Sequence, residues 1–257
     1  MKAKPYSKEL QVAHKIAHMA GNIMLSYVDD LQLSTKSDNH PLTIADTKIS
    51  DLVIQELKKA FPKDGIIGEE KSTSTYGMGR KWMCDPIDGT AGYIWGTPTA
   101  TFCISCIEDG KPVLGVIYDP FLKHMFWAVK GQGSYCNKSK LAVSNQGLID
   151  NYVGITDSIP FLMSLTYVDA LRKEGARPAI FSGAAYKATL VARGRFVGFT
   201  DPGLKPYDVA SMQIIVEEAG GKVTGLNGED LDYSQHFLGA VVSNGKVHKR
   251  LVEIINS

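Results

Sequence analysis

The run Asp85-Pro86-Ile87-Asp88-Gly89-Thr90 sets two carboxylates on a turn between unlike elements. Residues 80–84 before it read as a short buried strand. Ala91-Gly92-Tyr93-Ile94-Trp95 after it reads as the first turn of a helix. Pro86 keeps the chain extended and biases the residue before it away from helix. Gly89 permits close backbone approach, and the N–H groups that follow point outward with the positive end of a helix dipole. Hard oxygen ligands and an anion cradle therefore lie a few residues apart. That pairing suits a divalent cation bound beside a phosphate.

Other acids stand at comparable places. Glu69 and Glu70 end the apolar stretch Gly65-Ile66-Ile67. Asp208 opens a helix whose apolar face is Val209, Met212, Ile215, Val216 and Ala219. Asp46 stands just ahead of the helix bearing Ile49, Leu52, Val53 and Leu57. Each has a plainer reading too: Asp46 and Asp208 as helix caps, Glu69 and Glu70 as solvated loop charges. What favours chemistry is that all flank the ends of elements, where active sites are assembled.

Together these segments resemble the inositol monophosphatase family, lithium-sensitive and magnesium-dependent phosphomonoesterases. The matching residues are Thr43 to Asp46, Ile67 to Glu70, Asp85 to Thr90, Gly110 to Val116, Gly131 to Asn137 and Asp208 to Gly221. The resemblance implies two to three Mg2+ ions. Glu69, Asp85 and the Ile87 carbonyl would hold the first, and Asp85, Asp88 and Asp208 the second. Glu69 with ordered water would hold a third. Thr90, backed by Glu69 and Asp46, would orient the attacking water. Backbone N–H groups of Gly89 and Thr90 would hold phosphate oxygens, and Ala184 and Asp201 fall on positions that contact substrate.

The chemistry agrees with this assignment. Magnesium takes about six oxygen ligands and keeps several waters, so a few carboxylates and a carbonyl suffice. Two such ions clamp attacking and leaving oxygens. A phosphatase of the haloacid dehalogenase type needs two aspartates separated by one residue, whereas Asp85 and Asp88 are separated by two. Departures from the family pattern bear on substrate. Tyr207 stands where Trp is usual, and Lys205-Pro206-Tyr207-Asp208 is similar to the histidinol-phosphate phosphatase branch. Lys205 adds a cation that can pair with a second acidic group of the substrate.

Composition excludes several classes. A net charge of +1 over 257 residues argues against a nucleic-acid polymer as partner. No apolar run approaches the ~20 residues that span a bilayer. His14, Lys15 and His18 interrupt any signal-peptide core, so a cytoplasmic location is expected. Cys103 and Cys106 form a C-x-x-C pattern inside a predicted strand. Residues three apart on a strand point to opposite faces, which predicts buried thiols rather than a metal site. His14 and His18 share a helical face and are expected at the edge of a packing stripe.

The supporting elements follow from periodicity. Helices are predicted over 7–28, 46–60, 160–171, 184–193, 208–219 and 246–255. Strands are predicted over 99–107, 111–118, 124–129, 179–181, 196–199 and 240–243, the first three as a meander. The polar loop 34–40, with Lys36, resembles the family's segment over the metal site. The fold class is α/β. The resemblance refines it to a layered α-β-α-β-α sandwich of the inositol monophosphatase and fructose-1,6-bisphosphatase type. The expected division is an N-terminal half, 1–145, carrying most metal ligands, and a C-terminal half, 146–257, carrying Asp208 and substrate contacts. The expected function is hydrolysis of a small phosphomonoester, inositol monophosphate-like, by metal-activated water in a homodimer. Histidinol phosphate and 3′-phosphoadenosine 5′-phosphate are alternative substrates, and a protein-binding regulator with incidental phosphatase activity is the alternative of another class.

Overall fold

The computed structural model describes residues 5–35, 41–158 and 166–257. Residues 36–40 of the Lys36 loop and residues 160–165 of the third predicted helix lie outside them. Helix α1 (Ser7–Tyr27) buries Ala13, Ile16, Ala17, Ala20 and Met24 at helical spacing. A two-residue ladder, β1 (Ser34–Thr35) with β2 (Pro41–Leu42), leads into α2 (Ile44–Ala60), which buries Ala45, Ile49, Val53 and Leu57. Both helices cover one face of a seven-stranded sheet. Its spatial order is β3 (Gly65–Gly68), β4 (Lys81–Asp88), β5 (Thr101–Glu108), β6 (Lys111–Asp119), β7 (His124–Val129), β8 (Ser134–Cys136) and β9 (Ser139–Lys140). Only β3 and β4 pair in parallel; the others form the predicted meander, extended by two short strands.

Beyond the short α3 (Thr90–Ile94), the chain builds a second sheet from β10 (Tyr152–Ile155), β11 (Arg177–Ile180), β12 (Gly198–Asp201), β13 (Lys222–Thr224) and β14 (Ala240–Ser243). Their spatial order is β11-β10-β12-β14-β13, with β10 parallel to both neighbours. Helices α4 (Tyr167–Lys173) and α7 (His248–Ile255) cover its outer face through Leu171, Leu251 and Ile254. Between the sheets lie α5 (Ala184–Ala192) and α6 (Pro206–Glu218). Helix α6 is buried nearly all round, through Tyr207, Val209, Ala210, Met212, Ile214, Ile215 and Val216, as a middle layer requires. The expected five-layer α-β-α-β-α sandwich is the result.

Several particulars sharpen or correct the sequence reading. Strand β4 does not stop at Cys84 but runs through both aspartates to Asp88, with a register shift against β5 between Asp85 and Asp88. A bulge is where a strand tolerates proline, because no ladder hydrogen bond is lost there. Cys103 packs in the core between the sheets and Cys106 in the core under α1 and α2, on opposite faces of β5 as predicted. All four cysteines are free thiols. His14 and His18 pack edge-on against Trp127 and Tyr118. Glu218, at the end of α6, accepts hydrogen bonds from the Gly131 and Gly133 N–H groups, both 2.7 Å. That contact gives the Gly131-Gln132-Gly133 motif a structural purpose. Among the described residues no helix is long and apolar enough to cross a membrane.

Buried His248 bridges Ser243 Oγ at 2.8 Å and Thr224 Oγ1 at 2.9 Å, tying α7 to β13 and β14. Burial pushes its imidazole down to about 4. The unfolded chain therefore takes up a proton below about pH 6.5 that the folded chain refuses, and stability falls as pH drops from there towards 4. Urea melts of His248→Gln should show a flatter acid limb over that window. An unchanged limb would assign acid sensitivity to other groups.

Candidate active site

The parallel pairing of β3 with β4 sets up the acidic centre. Glu69 N–H donates to Cys84 O at 3.1 Å, which extends the pairing one residue and brings Glu69 beside Asp85. The Glu69 charge bears on Asp85 there and, after burial, holds its carboxyl above the usual range. Asp85 Oδ1 also accepts from Ile87 N–H at 3.0 Å, closing the turn around Pro86. Asp88 Oδ2 accepts from Ala185 N–H at 2.8 Å, at the start of α5, and from Thr101 Oγ1 at 3.4 Å. Asp208, in the first turn of α6, accepts from Lys205 N–H at 2.7 Å. Both Asp85 and Asp88 are buried, whereas Asp208 and Glu69 are partly exposed.

Gly89 brings the two halves of the site into backbone contact. It lies at φ 79°, and a Cβ there would stand 2.8 Å from Gly183 Cα and 2.9 Å from Gly183 N. Gly183 lies at φ 100°, and a Cβ on it would collide with the Thr99 carbonyl. Ser182 Oγ completes the seam by accepting from Gly92 N–H at 3.0 Å. Thr90 Oγ1 donates to Ile87 O at 3.1 Å, so its hydroxyl and that carbonyl face one another across the turn.

Asp46 fulfils the plainer reading weighed from the sequence, a helix cap. It forms a capping box for α2: Oδ2 accepts from Thr43 N–H at 2.8 Å and from Thr43 Oγ1 at 2.7 Å. Its Oδ1 is buried with no hydrogen-bond partner among the described residues. Burial first, then the nearby Glu70 and Glu69 charges, push its carboxyl up to about 6 against the opposing Thr43 hydrogen bonds.

The other acids are under greater strain. Burial and the mutual repulsion of Glu69, Asp208 and Asp88 hold the Asp85 carboxyl well above the usual range. Burial and the Glu69 charge do the same to Asp208. Asp88 is pushed up to about 7 by burial, offset in part by its backbone donors and by Lys187. Among the described residues, no group of three or more His, Cys, Asp or Glu side chains stands ready-closed around one point as a metal cage. These carboxylates are turned instead to backbone N–H groups and to one another. The donor set nonetheless fits a hard cation. It is all oxygen, largely buried, and carries more negative charge than its surroundings neutralise.

Of the residues singled out from sequence, Glu69, Asp85, Asp88 and Asp208 are mutual neighbours. Ala184 adjoins Asp88 through the α5 N-terminus. Asp201 is buried at the end of β12 and accepts from Gly203 N–H at 2.9 Å. Lys205 Nζ lies over the Tyr207 ring at 5.7 Å. Sequence reasoning missed Ser182, Gly183, Lys187 and Asp157. The small-residue run Ser182-Gly183-Ala184-Ala185 was the available signal for the first two. Lys187 gave none, since lysine on a helix reads as solvated.

A layered α/β sandwich holding buried carboxylates beside a glycine-mediated backbone seam defines a class of phosphate-ester hydrolases. The chain belongs to the inositol monophosphatase family, whose sequence model matches residues 6–257. It is therefore a phosphomonoesterase by family. A histidinol-phosphatase of Chlorobaculum parvum is 33% identical over 254 residues, 93% of this chain and 98% of that one. The Nus factor SuhB of Xylella fastidiosa is 32% identical over 256 residues, 95% of this chain and 92% of that one. The solved structure of an IMPase from Thermotoga maritima matches with a TM-score of 0.88 at 26% identity, covering 96% of each chain.

Proposed function

We propose that the protein hydrolyses a small polyol or amino-alcohol phosphomonoester, inositol monophosphate-like, with Mg2+ as cofactor. The observation that carries this reading is the gathering of Glu69, Asp85, Asp88 and Asp208 beside the Gly89–Gly183 seam. Those four carboxylates and the Ile87 carbonyl would hold two to three ions. Bound magnesium supplies charge neutralisation at the phosphoryl group and a more acidic water. Thr90 orients the attacking water, with Glu69 and Asp46 behind it. Asp46, poised near neutrality, can hold or release a proton there. The Gly89 and Thr90 N–H groups receive phosphate oxygens. Ala184, Asp201 and Lys205 face the leaving alcohol.

Histidinol phosphate is the alternative substrate, supported by the Lys205-Pro206-Tyr207-Asp208 variant and by likeness to the Chlorobaculum enzyme. Likeness to a Nus factor supports a second reading, a protein-binding regulator with incidental phosphatase activity. The family resemblance supports a cytoplasmic homodimer as its setting.

The test is phosphate release from inositol 1-phosphate, histidinol phosphate, fructose 1,6-bisphosphate and 3′-phosphoadenosine 5′-phosphate. Each is run with Mg2+, with chelator, and with Mg2+ plus Li+. Strong magnesium-dependent preference for inositol 1-phosphate, with inhibition by lithium, is the expected result. Preference for histidinol phosphate moves the substrate to the alternative, and no release from any of the four favours the regulator reading.

A further inference from the structure

The loop between β3 and β4 is pinned on both sides of one aromatic residue. Before it, the Thr73 and Ser74 N–H groups both donate to Ile66 O, at 2.9 and 3.2 Å. After it, the buried Lys81 ammonium donates to Gly77 O and Met78 O, both at 2.8 Å. A buried ammonium is tolerated only when it is well bonded, so these two carbonyls are held in place. Tyr76 stands between the anchors, half-buried, and packs against the core between the sheets. Its ring meets that of exposed His236 edge to face, with 5.9 Å between centroids and 88° between planes. An aromatic ring fixed in this way is preorganised to receive a ligand, because little freedom is left to lose on binding.

The loop that carries His236 reaches the acidic centre through a single peptide group. Gly239, a little further along that loop, donates its N–H to Leu204 O at 2.8 Å. The N–H of the same peptide, on Lys205, donates to Asp208 Oδ2 at 2.7 Å. With the C=O and C–N bonds between them, Gly239 N lies at most about 8 Å from the Asp208 carboxylate. From the other side, Tyr76 follows Glu69 on one loop, and the Asp208 charge adds to burial in raising its phenol. The two rings thus stand at the rim of the carboxylate pocket, one from each half of the chain. We propose that Tyr76 and His236 are specificity-determining residues that take the ring of a cyclic leaving alcohol in the right-angled corner between them. The inference rests on the phosphatase reading above and deepens it, by assigning the substrate a ring in preference to an open chain. The C–H faces of a cyclitol and the flat face of an imidazole both pack on an aromatic ring, and Lys205 beside them meets polar groups.

The test compares cyclic with open-chain substrates, using the full chain with Mg2+. Its readout is a ratio of two kcat/KM values. The numerator is the preferred of inositol 1-phosphate and histidinol phosphate, and the denominator is glycerol 2-phosphate. Tyr76→Ala should lower the ratio about tenfold through a higher KM for the cyclic substrate, the scale of one lost apolar contact in a pocket. Tyr76→Phe keeps the ring and should keep the ratio. His236→Ala, at an exposed position, should lower it about threefold, so a test remains if circular dichroism shows Tyr76→Ala unfolded. A merely structural contact slows all substrates alike and leaves the ratio unchanged, which overturns the proposal. So does a fall carried by kcat alone, an equal fall in Tyr76→Phe, or an unsubstituted protein that prefers glycerol 2-phosphate. Failure of the unsubstituted protein to release phosphate from any of the three is a separate result. It sinks the phosphatase reading itself, and this inference with it.

Discussion

Asp88→Asn should abolish phosphate release while leaving the chain folded. Asn keeps an oxygen to accept from Ala185 N–H, so the bond that docks α5 on β4 survives. What is lost is a buried negative charge. If that charge holds a cation against the phosphoryl group, several kcal/mol of transition-state stabilisation go with it, a fall in kcat/KM of roughly 10^3-fold or more. The same substitution should raise the stability of the metal-free protein. The sign follows from a carboxyl whose folded value, about 7, stands above its unfolded value near 4. The folded state binds that proton more tightly, so its stability declines as pH rises between those values and the full cost is present above 7. Removing the charge relieves that cost, about 2–4 kcal/mol on this scale. Thermal melts at pH 8 in chelator, beside phosphate release with excess Mg2+, check both halves. Retained turnover, or a less stable metal-free variant, would count against Asp88 as a metal-holding charge.

Gly89→Ala should nearly silence the enzyme by a different route. The residue is in the left-handed region, and its Cβ would press on Gly183 backbone at 2.8 Å. Neither neighbour can yield, because Gly183 is itself packed against Thr99 O. Strain and displacement together should cost about 2–4 kcal/mol. Activity should fall by about 10^2-fold, since displacing the seam by 1 Å misaligns the phosphate cradle with the acids. Gly96→Ala is the control. It shares a positive φ, 70°, but meets nothing within 4 Å. It should show only the strain of about 1 kcal/mol, with near-normal turnover. Equal losses in the two variants would mean that backbone strain alone, and not the seam, is responsible.

The candidate acids were legible in the sequence because metal chemistry restricts residue type. Few side chains offer hard oxygen, so Glu69, Asp85, Asp88 and Asp208 stand out at the ends of apolar segments. The long helices α1, α2 and α6 and the meander β5–β7 were legible too, since each carries a strong period of its own. Several short elements were not. Strands β8, β9, β10 and β13 are two to four residues long, too few to establish an alternation. Strand β4 was read as ending at Cys84 because Pro86 argues against a strand interior, and only pairing with β5 reveals the bulge that accommodates it.

Residue types by themselves pointed to oxygen ligands beside a phosphate cradle on an α/β chain, and the family resemblance added the layers. Tertiary structure decided how that chemistry is held. It showed that Asp46 is both cap and unpaired acid, that Gly89 meets Gly183, and that a lysine faces inward beside Asp157. The Asp46 cap is local to Thr43 and was among the expected roles. The other contacts join segments distant in sequence, and their free energy exists only once the sheets and their middle helices have packed.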